Sequence, residues 1–136
     1  MASDRVRGDK IHKIVILDTS AILSFFEFSV DWEKELFRLL DGYKIVIPSM
    51  VLHELTVLSQ QTASQRKQKA AASLKFAKRY DTIETLAGNA DDAVIEAAKK
   101  MNGVVVTNDT ELRKRLNLDS IPVIFLRGKK RFALEE

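Results

Sequence analysis

Short runs rich in apolar, β-branched residues alternate along this chain with longer stretches of helical character, and that alternation constrains the fold more than any other feature. Ile14–Leu17, Lys44–Ile47, Gly103–Val106 and Pro122–Leu126 read as buried strands, with Thr82–Leu86 as a shorter fifth. Between them, Ser20–Phe28, Asp31–Leu40, Met50–Ser59, Gln65–Tyr80, Asp91–Met101 and Asp109–Leu116 read as helices, the Ala-, Lys- and Arg-rich fourth being the strongest helix former. Pro48 closes the second run and suits the start of the helix after it, because its missing N–H would find no helical partner there. Strands separated by helices pair in parallel through right-handed crossovers, so the expected class is α/β, a three-layer helix-sheet-helix sandwich. A chain of 136 residues without repeat or linker is expected to form one domain, with 1–11 as a flexible arm and 128–136 as a basic, then acidic, tail.

Composition narrows the chemistry. There is no cysteine and there are only two histidines, His12 and His53, which excludes disulfide frameworks and thiolate or imidazole zinc sites; a metal would be held by oxygen. The N-terminal MASDRVRGDK is polar, and no window reaches the ~18 apolar residues of a membrane span, so a cytoplasmic protein is expected. The net charge is only +3, but the positive residues are segregated. Arg66, Lys67, Lys69, Lys75, Lys78 and Arg79 crowd one helix, and Arg127, Lys129, Lys130 and Arg131 follow the last strand. Such segregation suits either a basic rim contacting phosphates or a solvated helix face and tail.

In open parallel sheets the functional site gathers outside the carboxyl ends of the strands. Asp18 ends the first strand, and Asp109 follows Val106 by three residues, which places both at that edge. Either could instead cap a helix, and Asn108 with Glu111 resembles a capping box. Glu54 falls among Met50, Val51, Val57 and Leu58 at helical spacing, in the stripe expected to face the sheet, where a carboxylate must be neutral, paired with a cation or bound to a metal. Asp91 and Asp92 open the next helix, where the helix dipole alone would favour acids, and spacing does not choose between them. Carboxylates converging on one edge would repel each other unless a cation neutralised them, and Mg²⁺ or Mn²⁺ suits such a donor set. One or two such ions could activate water and stabilise charge on a phosphodiester. The first two helices also hold Phe25, Phe26, Phe28, Trp32 and Phe37, expected to be core rather than an interface patch.

Four segments, VILDTSAIL (15–23), IPSMVLHEL (47–55), NADDAVIEAA (89–98) and VVVTNDTELRKRL (104–116), resemble in order and spacing the motifs of PIN domains, and the likeness runs from Ile14 to about Leu126. The ending IPVIFLR is similar to the branch that holds archaeal toxin-like nucleases and ribosomal-RNA-processing factors. The resemblance implies a five-stranded parallel sheet of order 3-2-1-4-5, RNA cleavage dependent on Mg²⁺ or Mn²⁺, an antitoxin or RNA-processing partner, and a homodimer. It places the family acids on Asp18, Glu54, Asp92 and Asp109, with Asp92 preferred to Asp91 because Ala93, Val94 and Ile95 follow it. Ser20, Asp91 and Thr107 are supporting residues, and Arg66, Lys67, Lys75, Lys78, Arg79, Arg127 and Lys129 are the candidates for RNA contact.

Two other functions compete. A PIN-like scaffold that recruits RNA or protein without cutting would bind RNA equally in EDTA. A phospho-acceptor domain of similar layout also clusters aspartates, but it usually carries an acid pair after the first strand, where Asp18 stands alone.

Overall fold

The computed structural model describes residues 13–61 and 64–136, so the N-terminal arm and His12 lie outside it, as does part of the polar break between the third and fourth helices. The first strand, β1 (Lys13–Leu17), lies at the centre of the sheet, parallel to β2 (Tyr43–Pro48) on one side and β4 (Val104–Val106) on the other. Val15 is in register with both Ile45 and Val104, and all of Val15, Ile16 and Leu17 are fully buried, as a strand covered on both faces requires. The short β3 (Asp81–Ile83) adds to β2 and β5 (Val123–Arg127) adds to β4, each parallel.

The order 3-2-1-4-5 is therefore present, but it is extended. Residues 131–135 form a sixth strand, β6 (Arg131–Glu135), antiparallel to β5, and the full order is β3-β2-β1-β4-β5-β6. The expected tail is thus structured: Gly128 adopts φ +71 in the turn, and the alternation of Arg131, Phe132, Ala133 and Leu134 sends Phe132 into the core at 3% exposure.

Helices α1 (Thr19–Glu27) and α2 (Trp32–Leu40) connect β1 to β2; α3 (Ser49–Ser59) and α4 (Ser64–Ala77) connect β2 to β3; α5 (Ala90–Met101) and α6 (Thr110–Leu118) follow β3 and β4. None of the described helices is long and apolar enough to cross a membrane. Helix ends are fixed locally. Asn89 caps α5 by accepting a bond from the Asp92 N–H at 2.9 Å, and Asn102 closes it in the left-handed conformation. Gly103 then lets the chain pass close to β1, since a Cβ there would lie 3.1 Å from the Ile14 carbonyl oxygen. The aromatic residues of the first two helices divide: Phe25 stacks on Trp32 and meets Phe76 and Phe132, whereas Phe26 and Phe37 are exposed.

The outer edge of β6 is held by α2. Glu35 Oε1 accepts the Phe132 N–H at 2.8 Å and bonds from Arg38 Nη2 and Arg131 Nε, while Arg38 Nη2 donates to the Phe132 carbonyl at 2.7 Å. The Arg38 bond, reinforced by the Phe132 N–H, holds the Glu35 carboxyl down at about 2, against an ordinary value of 4.5. A carboxylate whose folded pKa is depressed contributes stability above its unfolded pKa and loses it as pH falls. Glu35→Gln should therefore destabilise by about 1–2 kcal/mol at neutral pH, discounted because both arginines reach water, and the difference from the parent should vanish as pH approaches about 2. Urea melts of both proteins across that range measure it; a gap independent of pH would contradict the pairing.

Candidate active site

The strand order reverses between β1 and β4, and the chain leaves their carboxyl ends toward opposite sides, which opens a cleft there. Asp18, Glu54, Asp91 and Asp109 line it, with Thr19, Ser20 and Arg66 between them and Leu23 and Leu58 as apolar walls, enclosing about 220 Å³. Four elements thus deliver four carboxylates: β1, α3, α5 and the turn before α6.

Asp18 is 3% exposed and stands at the N-cap position of α1, yet its side chain makes no capping bond. Its Oδ2 instead accepts hydrogen bonds from Thr107 Oγ1 at 2.7 Å and Ser20 Oγ at 2.8 Å. Burial raises its pKa against the opposing pull of the two hydroxyls, and the negative charge of Glu54 pushes in the same direction as burial. Thr107 is fully buried and links the strand ends, because its Oγ1 also accepts the Asp109 N–H at 3.1 Å. Ser20 Oγ likewise accepts the Asn108 N–H at 3.1 Å.

Asp109, and not Asn108, caps α6: its Oδ1 accepts from Glu111 and Leu112, leaving Oδ2 without a donor among the described residues. Capping and a place in the cleft are therefore compatible. Glu54 differs from the sequence expectation. The buried stripe of α3 is Val51 and Leu55, and Glu54 is exposed with no ion pair among the described residues, so it faces neither the sheet nor a buried cation.

Of the neighbouring pair, the expectation preferred Asp92, whereas it is Asp91 that lines the cleft. Asp92 turns away from the cleft, bonded to Arg115 Nη2 at 2.6 Å and to Asn89 Nδ2 at 3.0 Å, and these bonds lower its pKa. Asp91 enters the cleft, where partial burial and then the charges of Asp18 and Asp109 raise its pKa. Among the described residues no three carboxylates converge closely enough to form a closed metal cage; they ring an open cleft. The donor set still fits a hard divalent cation. It is all oxygen, two of its members are pushed toward protonation, and an open site suits an ion such as Mg²⁺ that keeps several waters.

The basic residues scatter more widely. Arg66 reaches the acid cleft, Lys75 and Arg79 line a separate hollow beside Trp32, Lys67 is exposed on α4 and Lys78 is exposed just past its end. Arg127 and Lys129 lie at the exposed β5–β6 turn. His53 is exposed on α3, apart from the cleft. Sequence reasoning missed Thr19, whose buried hydroxyl finds no partner among the described residues, and the walls Leu23 and Leu58; only the position of Thr19 directly after Asp18 could have signalled any of these.

Residues 15–129 match the family described as PIN like domain. The chain belongs to that family. This PIN domain is 33% identical over 124 residues to Ribonuclease VapC4 of Methanocaldococcus jannaschii, covering 88% of this chain and 95% of that protein. It is 29% identical over 135 residues to Ribonuclease VapC9 of Archaeoglobus fulgidus, covering 99% and 98% of the two chains. Its fold superposes on the PIN domain endonuclease Utp24 with a TM-score of 0.74 at 24% identity, covering 90% of each chain. It also superposes on VapBC2 of Rickettsia felis, solved with a promoter DNA fragment, at 0.61 and 21% identity, covering 84% of this chain and 99% of that one.

In this PIN domain the two neighbouring aspartates should separate cleanly. Because Asp91 ionises at a cost in the folded state, Asp91→Asn in EDTA at neutral pH should melt no lower than the parent, whereas Asp92→Asn, which loses its Arg115 partner, should melt slightly lower. Calorimetry on the three metal-free proteins tests this, and the reverse ranking would restore Asp92.

Proposed function

We propose that the chain is a divalent-metal-dependent ribonuclease in which Asp18, Glu54, Asp91 and Asp109 hold one or two Mg²⁺ or Mn²⁺ ions. The observation that carries the reading is that two of these carboxylates, Asp18 and Asp91, are pushed toward protonation by burial and by neighbouring charge within a single cleft. An arrangement unfavourable to the empty protein is favourable to a cation. The bound metal would supply water activation and neutralise charge on the phosphodiester oxygens.

The protein's own residues do the rest. Thr107 and Ser20 fix the orientation of Asp18, and the α6 cap fixes Asp109. Arg66, which lines the cleft, would hold a phosphate against the acids, while the lining residues Leu23 and Leu58 would limit water on the walls. Lys67 and Lys75 on α4, Lys78 and Arg79 just after it, and Arg127 and Lys129 at the β5–β6 turn would contact flanking phosphates. The VapC relatives, matched over nearly their whole length, favour a toxin-type role with an antitoxin partner over ribosomal-RNA processing. Homodimerisation and a cytoplasmic location belong to the same proposal.

Mn²⁺ should raise the melting temperature of the parent as RT ln(1 + [L]/Kd) and support cleavage of unstructured RNA. Glu54 is exposed and unpaired among the described residues and its charge opposes that of Asp18, so Glu54→Gln should leave the EDTA melt unchanged or slightly higher while the Mn²⁺ response and cleavage collapse. Thr107→Val, which frees Asp18 to turn, should cost roughly 10–100-fold in activity or metal affinity. A melt indifferent to millimolar Mn²⁺ would defeat the metal reading, and RNA binding without any cleavage in Mn²⁺ would make the chain a recruiting module.

A further inference from the structure

A hollow of about 390 Å³ lies between α2 and the β5–β6 hairpin, lined by Arg38, Leu39, Arg127, Arg131, Phe132 and Ala133. It shares no lining residue with the acid cleft. Three guanidinium groups meet one carboxylate there. Glu35 Oε1 accepts from Arg38 Nη2 at 2.9 Å and from Arg131 Nε at 3.2 Å, so both arginines are held at one oxygen. Arg127 has no carboxylate partner among the described residues. Three positive charges against one negative leave the hollow at +2. Donors are also left over, because an arginine offers five N–H groups. Among the described residues Arg38 commits only Nη2, to Glu35 and the Phe132 carbonyl, and Arg131 commits only Nε.

The hairpin closes on a like-charged pair. Arg127 and Arg131 are direct cross-strand partners, an arrangement that destabilises an antiparallel ladder because the two charges share one face. Glu35 bonds Arg131 and not Arg127, while Lys129 and Lys130, both exposed, add two more positive charges in the turn between them. An anion seated among the guanidiniums would remove that repulsion. Charge and shape say which anion. A backbone phosphodiester carries one negative charge, whereas a phosphate monoester carries about 1.5–2 at neutral pH and so matches the hollow. Planar guanidinium forks suit phosphate oxygens in pairs. The volume falls within the roughly 300–1,000 Å³ of small-molecule sites, and Leu39 and Ala133 offer an apolar wall to the group that carries the phosphate.

We propose that the hollow between α2 and the β5–β6 hairpin binds a phosphate monoester, clamped by Arg38, Arg127 and Arg131. This goes beyond the backbone contact suggested above for Arg127, and it does not depend on the ribonuclease reading of the acid cleft. The monoester is either the terminal phosphate of an RNA or a free phosphorylated small molecule, and the chemistry that recognises it is the same.

In EDTA and at matched ionic strength, inorganic phosphate and a nucleoside 5′-monophosphate should raise the melting temperature, whereas the nucleoside, dimethyl phosphate and glutamate should not. Affinity should fall as pH drops through about 6, where the monoester takes up its second proton while the arginines stay charged. Arg127→Gln, at an exposed position, should weaken monophosphate binding roughly tenfold or more, and Arg127→Lys should restore part of it. Arg66→Gln, in the acid cleft, should leave it unchanged. Oligonucleotides with and without a terminal phosphate separate the two sources. A terminal phosphate that tightens binding in the parent but not in Arg127→Gln assigns the hollow to RNA ends; mononucleotide binding without that difference assigns it to a small ligand. Equal binding by the parent and Arg127→Gln, a diester or glutamate that binds as well as the monoester, or a loss that follows Arg66 instead would overturn the site.

Discussion

The Asp18 N–H donates to the Val106 carbonyl at 3.1 Å, and the site depends on the junction this bond makes. It ties the carboxyl ends of β1 and β4 together at the one place where the sheet reverses its strand order. From there the chain leaves in opposite directions, so no connection covers the strand ends, and a cleft opens by topology rather than by a moving loop. Asp18 is buried because it directly follows a fully buried strand. Thr107 follows the neighbouring strand at the same level, and its hydroxyl replaces the water that Asp18 has lost.

Around that junction the protein tolerates electrostatic cost. Asp18 and Asp91 are both shifted toward protonation, in a chain whose other resolved acid shifts, at Glu35, Asp92 and Glu135, run the opposite way and are explained by arginine or amide partners. The contrast separates acids that build the fold from acids that burden it. The first group sits against Arg38, Arg115 and Arg113, and the second faces its own kind. Residues that strain a fold without local compensation tend to be functional.

Much of this was legible in the residues. Buried β-branched runs gave the parallel core and its strand ends, which located Asp18 and Asp109. Legibility failed where the answer depended on a neighbour from elsewhere in the chain. Successive helix positions differ by about 100° in direction, and spacing alone cannot phase a first turn. Arg115 on α6 holds Asp92 outside the cleft that Asp91 lines, and no pattern within residues 89–98 contains it. Glu54 was misjudged because α3 buries a narrower stripe than its many apolar residues suggest, with Val57 left exposed. The β6 strand was hidden by charged residues at both ends of a five-residue alternation; its place is set by Glu35, far away in sequence.

That distance has a kinetic meaning. Glu35 and Phe132 are 97 positions apart, so the contact that secures the sheet's outer edge closes one of the longest loops the chain can form. Loop closure opposes such a contact until much of the intervening chain is already in place. The edge should therefore zip shut after the folding barrier has been crossed, and its bonds should act as a brake on unfolding with little influence on how fast the protein folds. The lifetime of the native state, more than the speed of reaching it, would then be governed by one carboxylate on α2.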